Sequence, residues 1–281
     1  MSKKLILTLL ISYSILYAQN SKKSIELSDA KAKNGDYVGA KAGYEKVLLK
    51  DPNNAICLYK SGLMSIQMGI DLDEAIQNFS KAIQIKPKYS DAYWGRGMAR
   101  KMKYEYKEAS EDLEKAISLD PNNDDTYISL AEVKYHLTDY TKADFYYSEY
   151  LKKHPNDYGT YSDRGYVRME RLYLKEAIED YTKAVTIGNL ETDKVVFSGN
   201  ITKQKLDDLR NGVQENIKMT EISAERFEVY YNRALAKVRV GEGKSAIEDY
   251  NKAIALNPVY HQAYFARGLA KSSINDQRGA I

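Results

Sequence analysis

The chain has 281 residues, and 42 Lys and Arg stand against 39 Asp and Glu, a net charge of +3. That near-balance, with lysines and acids alternating as on solvated helix faces and no basic stripe, excludes a nucleic-acid-binding surface. One cysteine, Cys57, excludes an internal disulfide, so packing alone must hold the fold.

Residues 1–18 come first, with Lys3 and Lys4 ahead of the apolar run Leu5 to Tyr17 and small Ala18 before Gln19 and Asn20. Charge, apolar stretch and small residue in that order predict a secretory signal cleaved after Ala18. The run is short for a membrane span, which needs roughly 20 residues. An uncleaved N-terminal anchor is the alternative, and it is the only route to a membrane that the sequence offers. No cysteine lies near Ala18 to carry a lipid. Loss of residues 1–18 removes two lysines and no acid, so +3 becomes +1.

The rest of the chain keeps a beat. Ala40, Ala75, Ala109, Ala143, Ala177, Ala246 and Ala280 recur at gaps of 35, 34, 34, 34, 69 and 34 residues, and Pro52, Pro87, Pro121, Pro155 and Pro258 each follow one of them by 12. Such a period means stacked supersecondary units, each too small to bury its own apolar face. In residues 90–123, Ala92, Tyr93, Gly97 and Arg100 return at helical spacing. The pattern breaks at Lys103 to Tyr106 and resumes with Ala109, Leu113, Ala116, Ile117 and Leu119. Two amphipathic helices joined by a tight turn are expected, with proline stopping the second. Gly97 and its counterparts Gly62, Ala131, Gly165, Ala234 and Gly268 should allow close helix approach. Tyr93, Tyr127, Tyr161, Tyr230 and Tyr264 should supply the bulk that those small residues accommodate. Cys57 shares a column with Ala92, Thr126, Thr160, Val229 and Ala263, which predicts a small buried residue rather than a reactive thiol.

These columns resemble the tetratricopeptide repeat family: an aromatic, Gly or Ala four residues on, Ala twelve further, then an aromatic or Leu, Ala and Pro. The resemblance covers residues 21–189 as five units and 227–281 as one repeat plus a truncated repeat. It departs from the pattern at an inserted residue between Gly69 and Asp73, at Tyr150 in place of a small residue, and at Asn189 in place of proline. It implies an all-α fold, an α-solenoid superhelix of stacked antiparallel helix pairs.

One correlation exceeds generic helix pairing. Arg96, Arg164 and Arg233 are followed sixteen residues later by Asp112, Asp180 and Asp249. Where the first place holds Leu27, Ser61 or Leu130, the second holds Gly43, Asn78 or Tyr146. A half-buried guanidinium needs a carboxylate, so an intra-repeat salt bridge is expected in each of these three units. Shared ancestry of three repeats would give the same pattern. Arg267 has no matching aspartate, because the chain ends before that place.

Residues 190–226 have one repeat's length without its motif, and an irregular insertion or a degenerate repeat is expected. Leu206, Leu209, Val213 and Ile217 suggest a helix from about Thr202 to Met219, with Lys194 to Asn200 extended or looped. Ala280 and Ile281 match Ala177-Ile178 and Ala246-Ile247, so the sequence stops two residues into a second helix and leaves Phe265 and Leu269 uncovered.

Signs of chemistry are missing. His136, His154 and His261 lie in separate units with no cysteine pair, and there is no phosphate-binding glycine loop or nucleophile motif, so neither catalysis, metal nor cofactor is expected. Asp-Pro-Asn-Asn strings recur as repeat punctuation and read as turns. The resemblance implies that first helices line a concave groove, where this chain places Tyr59, Leu63, Ile66, Trp94, Met98, Met102, Ile128, Tyr135, Tyr166, Met169, Tyr231, Leu235, Phe265 and Leu269. Some of these must pack between units, but a contiguous set of aromatic, aliphatic and methionine side chains marks a partner site for a protein or peptide. Trp94, Met98 and Met102 rise along one helix face and form the expected hot spot. The groove of some family members grips a carboxylate with Lys, Asn and Arg, which Tyr59, Leu63, Gly95 and Asp91 do not reproduce. The resulting expectation is an exported protein-binding scaffold or assembly factor of a bacterial envelope. The alternatives are the substrate-recruiting arm of a longer enzyme or receptor with its active domain beyond Ile281, and a structural spacer whose groove is filled by its own chain.

Overall fold

Apolar residues returning every three to four places form helices throughout the computed structural model, which describes residues 20–188 and 224–274. The helices are α1 (20–33), α2 (Tyr37–Leu48), α3 (Ala55–Met68), α4 (Leu72–Ile85), α5 (Ser90–Met102), α6 (Tyr106–Leu119), α7 (Asp124–His136), α8 (Tyr140–Lys153), α9 (Tyr158–Glu170), α10 (Leu174–Ile187), α11 (Ala224–Arg239), α12 (Gly243–Leu256) and α13 (His261–Ser273). No strand occurs among the described residues. The fold is all-α, built from antiparallel helix pairs stacked side by side. The expected signal segment, the helix near 202–219 with the loop before it, and the terminal Ala280-Ile281 lie outside the described residues. Residues 224–226, expected within the irregular stretch, already belong to α11.

Several helix ends have an identifiable chemical cause. The Asp-Pro-Asn-Asn turn ends in a cap, for Cys57 N donates to Asn54 Oδ1 at 3.1 Å and Asn54 Nδ2 donates to Asp51 Oδ2 at 3.0 Å. Asp157 does the same for α9, accepting from Thr160 N at 3.1 Å. Helices α4, α6, α8 and α12 end two residues before their prolines. The tight turns use left-handed backbone. Gly35 and Gly241 adopt it freely, whereas Tyr104, Thr138 and Leu172 hold φ of 62°, 59° and 61° at corresponding places. Side chains there cost roughly 1–2 kcal/mol.

Two compact units divide the chain, residues 1–138 and 139–281. In the first, α2 packs on α3, α3 on α4, α4 on α5, α5 on α6 and α6 on α7. In the second, α8 packs on α9, α9 on α10, α10 on α11, α11 on α12 and α12 on α13. First helices of successive pairs also meet, α3 with α5, α5 with α7, α9 with α11 and α11 with α13, and successive second helices approach less closely. First helices therefore line the inner side of the stack within each unit.

The alanine column Ala40, Ala75, Ala109, Ala143, Ala177 and Ala246 is wholly buried. The expected source of bulk needs correction. Gly165 faces the Tyr181 ring, 3.0 Å from where a Cβ would stand, Gly62 faces Phe79 and Gly97 faces Leu113. The bulk is thus the second-helix column Tyr44, Phe79, Leu113, Tyr147, Tyr181 and Tyr250, all buried, each contributing on the order of 2 kcal/mol. Tyr264, from the column expected to fill that role, stays 36% exposed.

Candidate partner-binding surface

Three arginines on first helices meet three aspartates on the following second helices. Arg96 Nε and Nη2 donate to Asp112 at 2.8 and 2.7 Å, Arg164 to Asp180 at 2.9 and 2.6 Å, and Arg233 to Asp249 at 2.8 and 2.6 Å. Both donors of each fork are used, the geometry that suits guanidinium to carboxylate. Burial opposes the charge on Arg164, but the hydrogen bonds and attraction of Asp180, with Asp144 beyond, outweigh it and raise its pKa.

Sequence reading missed the rest of this cluster. One helical turn on, Arg100, Arg168 and Lys237 donate to the same aspartates at 2.7, 2.8 and 2.8 Å. The third guanidinium nitrogen turns to the preceding second helix, Arg96 Nη1 to Ser80 Oγ and Arg164 Nη1 to Ser148 Oγ, each at 3.0 Å, and Arg233 Nη1 to Thr182 Oγ1 at 3.4 Å. Each arginine thereby ties its own pair to the one before. Arg267 does have a partner: its Nη1 donates to Asn251 Oδ1 at 2.7 Å, sixteen residues earlier rather than later. The tyrosines Tyr93, Tyr161, Tyr230 and Tyr264 lie beneath Arg96, Arg164, Arg233 and Arg267 at 5.3–5.6 Å, so this column shelves cations. The signal was present as Tyr-x-x-Arg, but helix faces had to be placed before it could be read.

The inner-side candidates fall into two groups. In the first unit, Tyr59, Leu63, Ile66, Trp94, Met98, Met102, Ile128 and Tyr135 are all half-buried. Tyr59 packs its ring at 5.9 Å from Phe79 and 5.3 Å from Tyr89, and burial raises its hydroxyl pKa. Leu63 and Ile66 pack against core clusters. Trp94 Nε1 is buried with no hydrogen-bond partner among the described residues. Beside Met98 and Met102, Lys101 pairs with Glu132 of α7. In the second unit, Tyr166 is 36%, Phe265 71% and Leu269 57% exposed, while Tyr231 and Leu235 pack on buried residues. Met169 is a correction: it is 3% exposed, packed with Tyr181 and Val185 in the core, and cannot touch a partner.

The remaining polar candidates are structural. Cys57 is buried and burial pushes its thiol up to about 11. His136 stacks on Tyr106 at 4.5 Å, and His154 caps α8 and stacks on Tyr150 at 4.3 Å. Among the described residues no cluster of His, Cys, Asp or Glu could hold a metal, and no helix is long and apolar enough to cross a membrane.

Repeated helix pairs, a fixed knob on a small residue and a recurring ion cluster define a helical-repeat scaffold. Family profiles described as tetratricopeptide repeat match residues 90–123 and 227–260, and again 125–157, and one described as TPR repeat matches 71–103. The chain belongs to the tetratricopeptide repeat proteins. No curated protein matches it significantly. Among solved structures it is similar to MamA, at 26% identity over 64% of this chain and 97% of that one, TM-score 0.56. YrrB, described as a TPR protein with an unusual peptide-binding site, is 19% identical over 80% and 97%, TM-score 0.62. PilW, described as a widely conserved type IV pilus biogenesis factor, is 17% identical over 87% and 97%, TM-score 0.62. The latter two likenesses are of fold.

Proposed function

We propose that this chain is an exported scaffold or assembly factor that holds a peptide segment of a partner protein against the inner, first-helix side of its repeats. The observation that carries this reading is the row Trp94, Met98 and Met102 on α5, half-buried apolar side chains on a helix whose other faces are taken up by the knob of Leu113 and the ion cluster of Asp112. Packing explains part of each side chain's burial. It leaves part of each apolar face uncovered on the inner side, where an apolar peptide side chain can lie. A peptide laid across α5 supplies an apolar anchor for that face. YrrB and PilW, which share the fold, carry descriptions of a peptide-binding site and of pilus biogenesis that accord with this role. Export rests on the pattern of residues 1–18 alone.

The test uses peptides selected on the immobilised mature protein, then measured against Trp94→Ala and Met98→Ala. Loss of about tenfold or more in affinity for either variant, at unchanged thermal stability, is expected of anchor residues. Equal binding to wild type and variants would place the partner elsewhere. In the native host, the mature chain should begin at Gln19; recovery of an intact N-terminus would refute cleavage.

A further inference from the structure

Beside the Trp94 row lies a corner with an unmet charge. The Tyr59 and Tyr89 rings meet at 5.3 Å, tilted by 54°, and Asp91 stands on the first turn of α5 close enough for its charge to bear on both phenols. Trp94 follows three residues later on the same helix face. Asp91 has no ion pair or hydrogen bond among the described residues, whereas Lys101, further along the same helix, is paired with Glu132. Its neighbours make ionisation harder: burial first, then the nearby Asp120, raise its carboxyl pKa. One cation already samples this corner, since Lys86 Nζ lies 5.6 Å from the Tyr89 ring centre.

We infer that Tyr59, Tyr89, Asp91 and Trp94 form a subsite for a basic side chain, arginine or lysine, of the bound peptide. This rests on the inner-side binding proposed above and names the chemistry it selects. A guanidinium or ammonium meets the carboxylate at its edge and the electron-rich ring faces below, a combination that gains from partial desolvation. An acidic peptide is disfavoured, because Asp91 and Asp120 would repel it. Lys86 swings off Tyr89 as the ligand's cation arrives, and its exposed position makes that exchange easy.

Trp94 is the sole tryptophan, so its fluorescence and indole N–H resonance report on this corner alone. The probe is an acetylated, amidated Leu-Ala-Arg-Ala-Leu peptide, set against the same peptide with citrulline, a neutral isostere of arginine. The arginine peptide should shift the Trp94 signals saturably and bind on the order of tenfold tighter than the citrulline peptide. Asp91→Asn should erase that preference while leaving the melting temperature unchanged or higher, which a merely structural carboxylate would not allow. Equal affinity of the two peptides, or a preference that survives Asp91→Asn, overturns the subsite. Equal affinity with a Trp94 response overturns the subsite but leaves inner-side binding standing. Absence of any response also overturns the subsite, and inner-side binding is then decided by the selected peptides and Trp94→Ala.

Discussion

Asp180 shows how much one side chain carries in this fold. It is 2% exposed and accepts from Arg164 Nε and Nη2 and from Arg168 Nη1, while Arg164 also reaches Ser148 and lies over Tyr161. Asp180→Ala leaves two guanidinium groups facing a buried gap, and a cost of about 3–5 kcal/mol is expected in denaturant unfolding. The sequence itself contains the remedy, because Leu130 and Tyr146 hold the same two places without charge. The double variant Arg164→Leu, Asp180→Tyr should therefore recover most of the loss, with Arg168 kept by Asp144 at 3.1 Å. A double variant as unstable as the single one would mean that the cluster, rather than filled space, is what the site requires. The Arg–Asp coupling could be read from the sequence because it is a fixed offset of sixteen. The second cation and the preceding hydroxyl could not, since they become neighbours only when three helices are in place.

At the level of helix pairs, the decisive fit is a ring on a glycine. Phe79 is held between Gly62 of its own pair and Gly95 of the next, with its edge 2.6 Å from where a Gly95 Cβ would stand. Gly95→Ala should cost roughly 1–3 kcal/mol, since Phe79 is wholly buried and already in close contact with both glycines. Gly159 is the contrast, for its nearest neighbour would be Asp157 Oδ1 at 3.4 Å in ordinary contact. Gly159→Ala should raise stability by about 0.5 kcal/mol through reduced chain entropy. Thermal melts of both variants decide the matter, and a neutral Gly95→Ala would refute tight inter-pair packing. Helix positions were legible because Pro52, Pro87, Pro121, Pro155 and Pro258 mark stops in sequence. The partner of each small residue was misassigned to Tyr93 and its column, because spacing along a chain does not say which face of the second helix turns inward.

For the molecule as a whole, buried phenols and one thiol set an alkaline limit. Cys57 is raised from 9.0 to about 11 and Tyr89 from 10.0 to about 12, and burial likewise raises Tyr44, Tyr59, Tyr181 and Tyr250. Below about pH 8 these groups are neutral folded and unfolded alike and have no effect. Above it, the unfolded chain ionises first and gains free energy that the folded chain cannot match until its own higher pKa is passed. Stability linked to these groups should hold level from pH 7 to about 8, then fall progressively towards pH 12 as the unfolded thiol and then the phenols ionise, by up to about 1.4 kcal/mol per pH unit for each fully buried group. A denaturation midpoint unchanged at pH 11 would contradict the burial described. Period and family were plain at this scale, as the alanine and proline beat repeats along the chain. The inner surface was legible only in part: the positions of Trp94 and Met98 follow from register, whereas the burial of Met169 and the isolation of Asp91 depend on what neighbouring helices bring.

The most direct measurement is the emission of Trp94 in the mature protein titrated with a peptide selected on it. A saturable shift in wavelength or intensity, with an affinity that drops about tenfold in Met98→Ala, is the result expected if partners lie across α5. Peptides that bind tightly while Trp94 emission stays constant would show that the inner face of these repeats is not where partners are held.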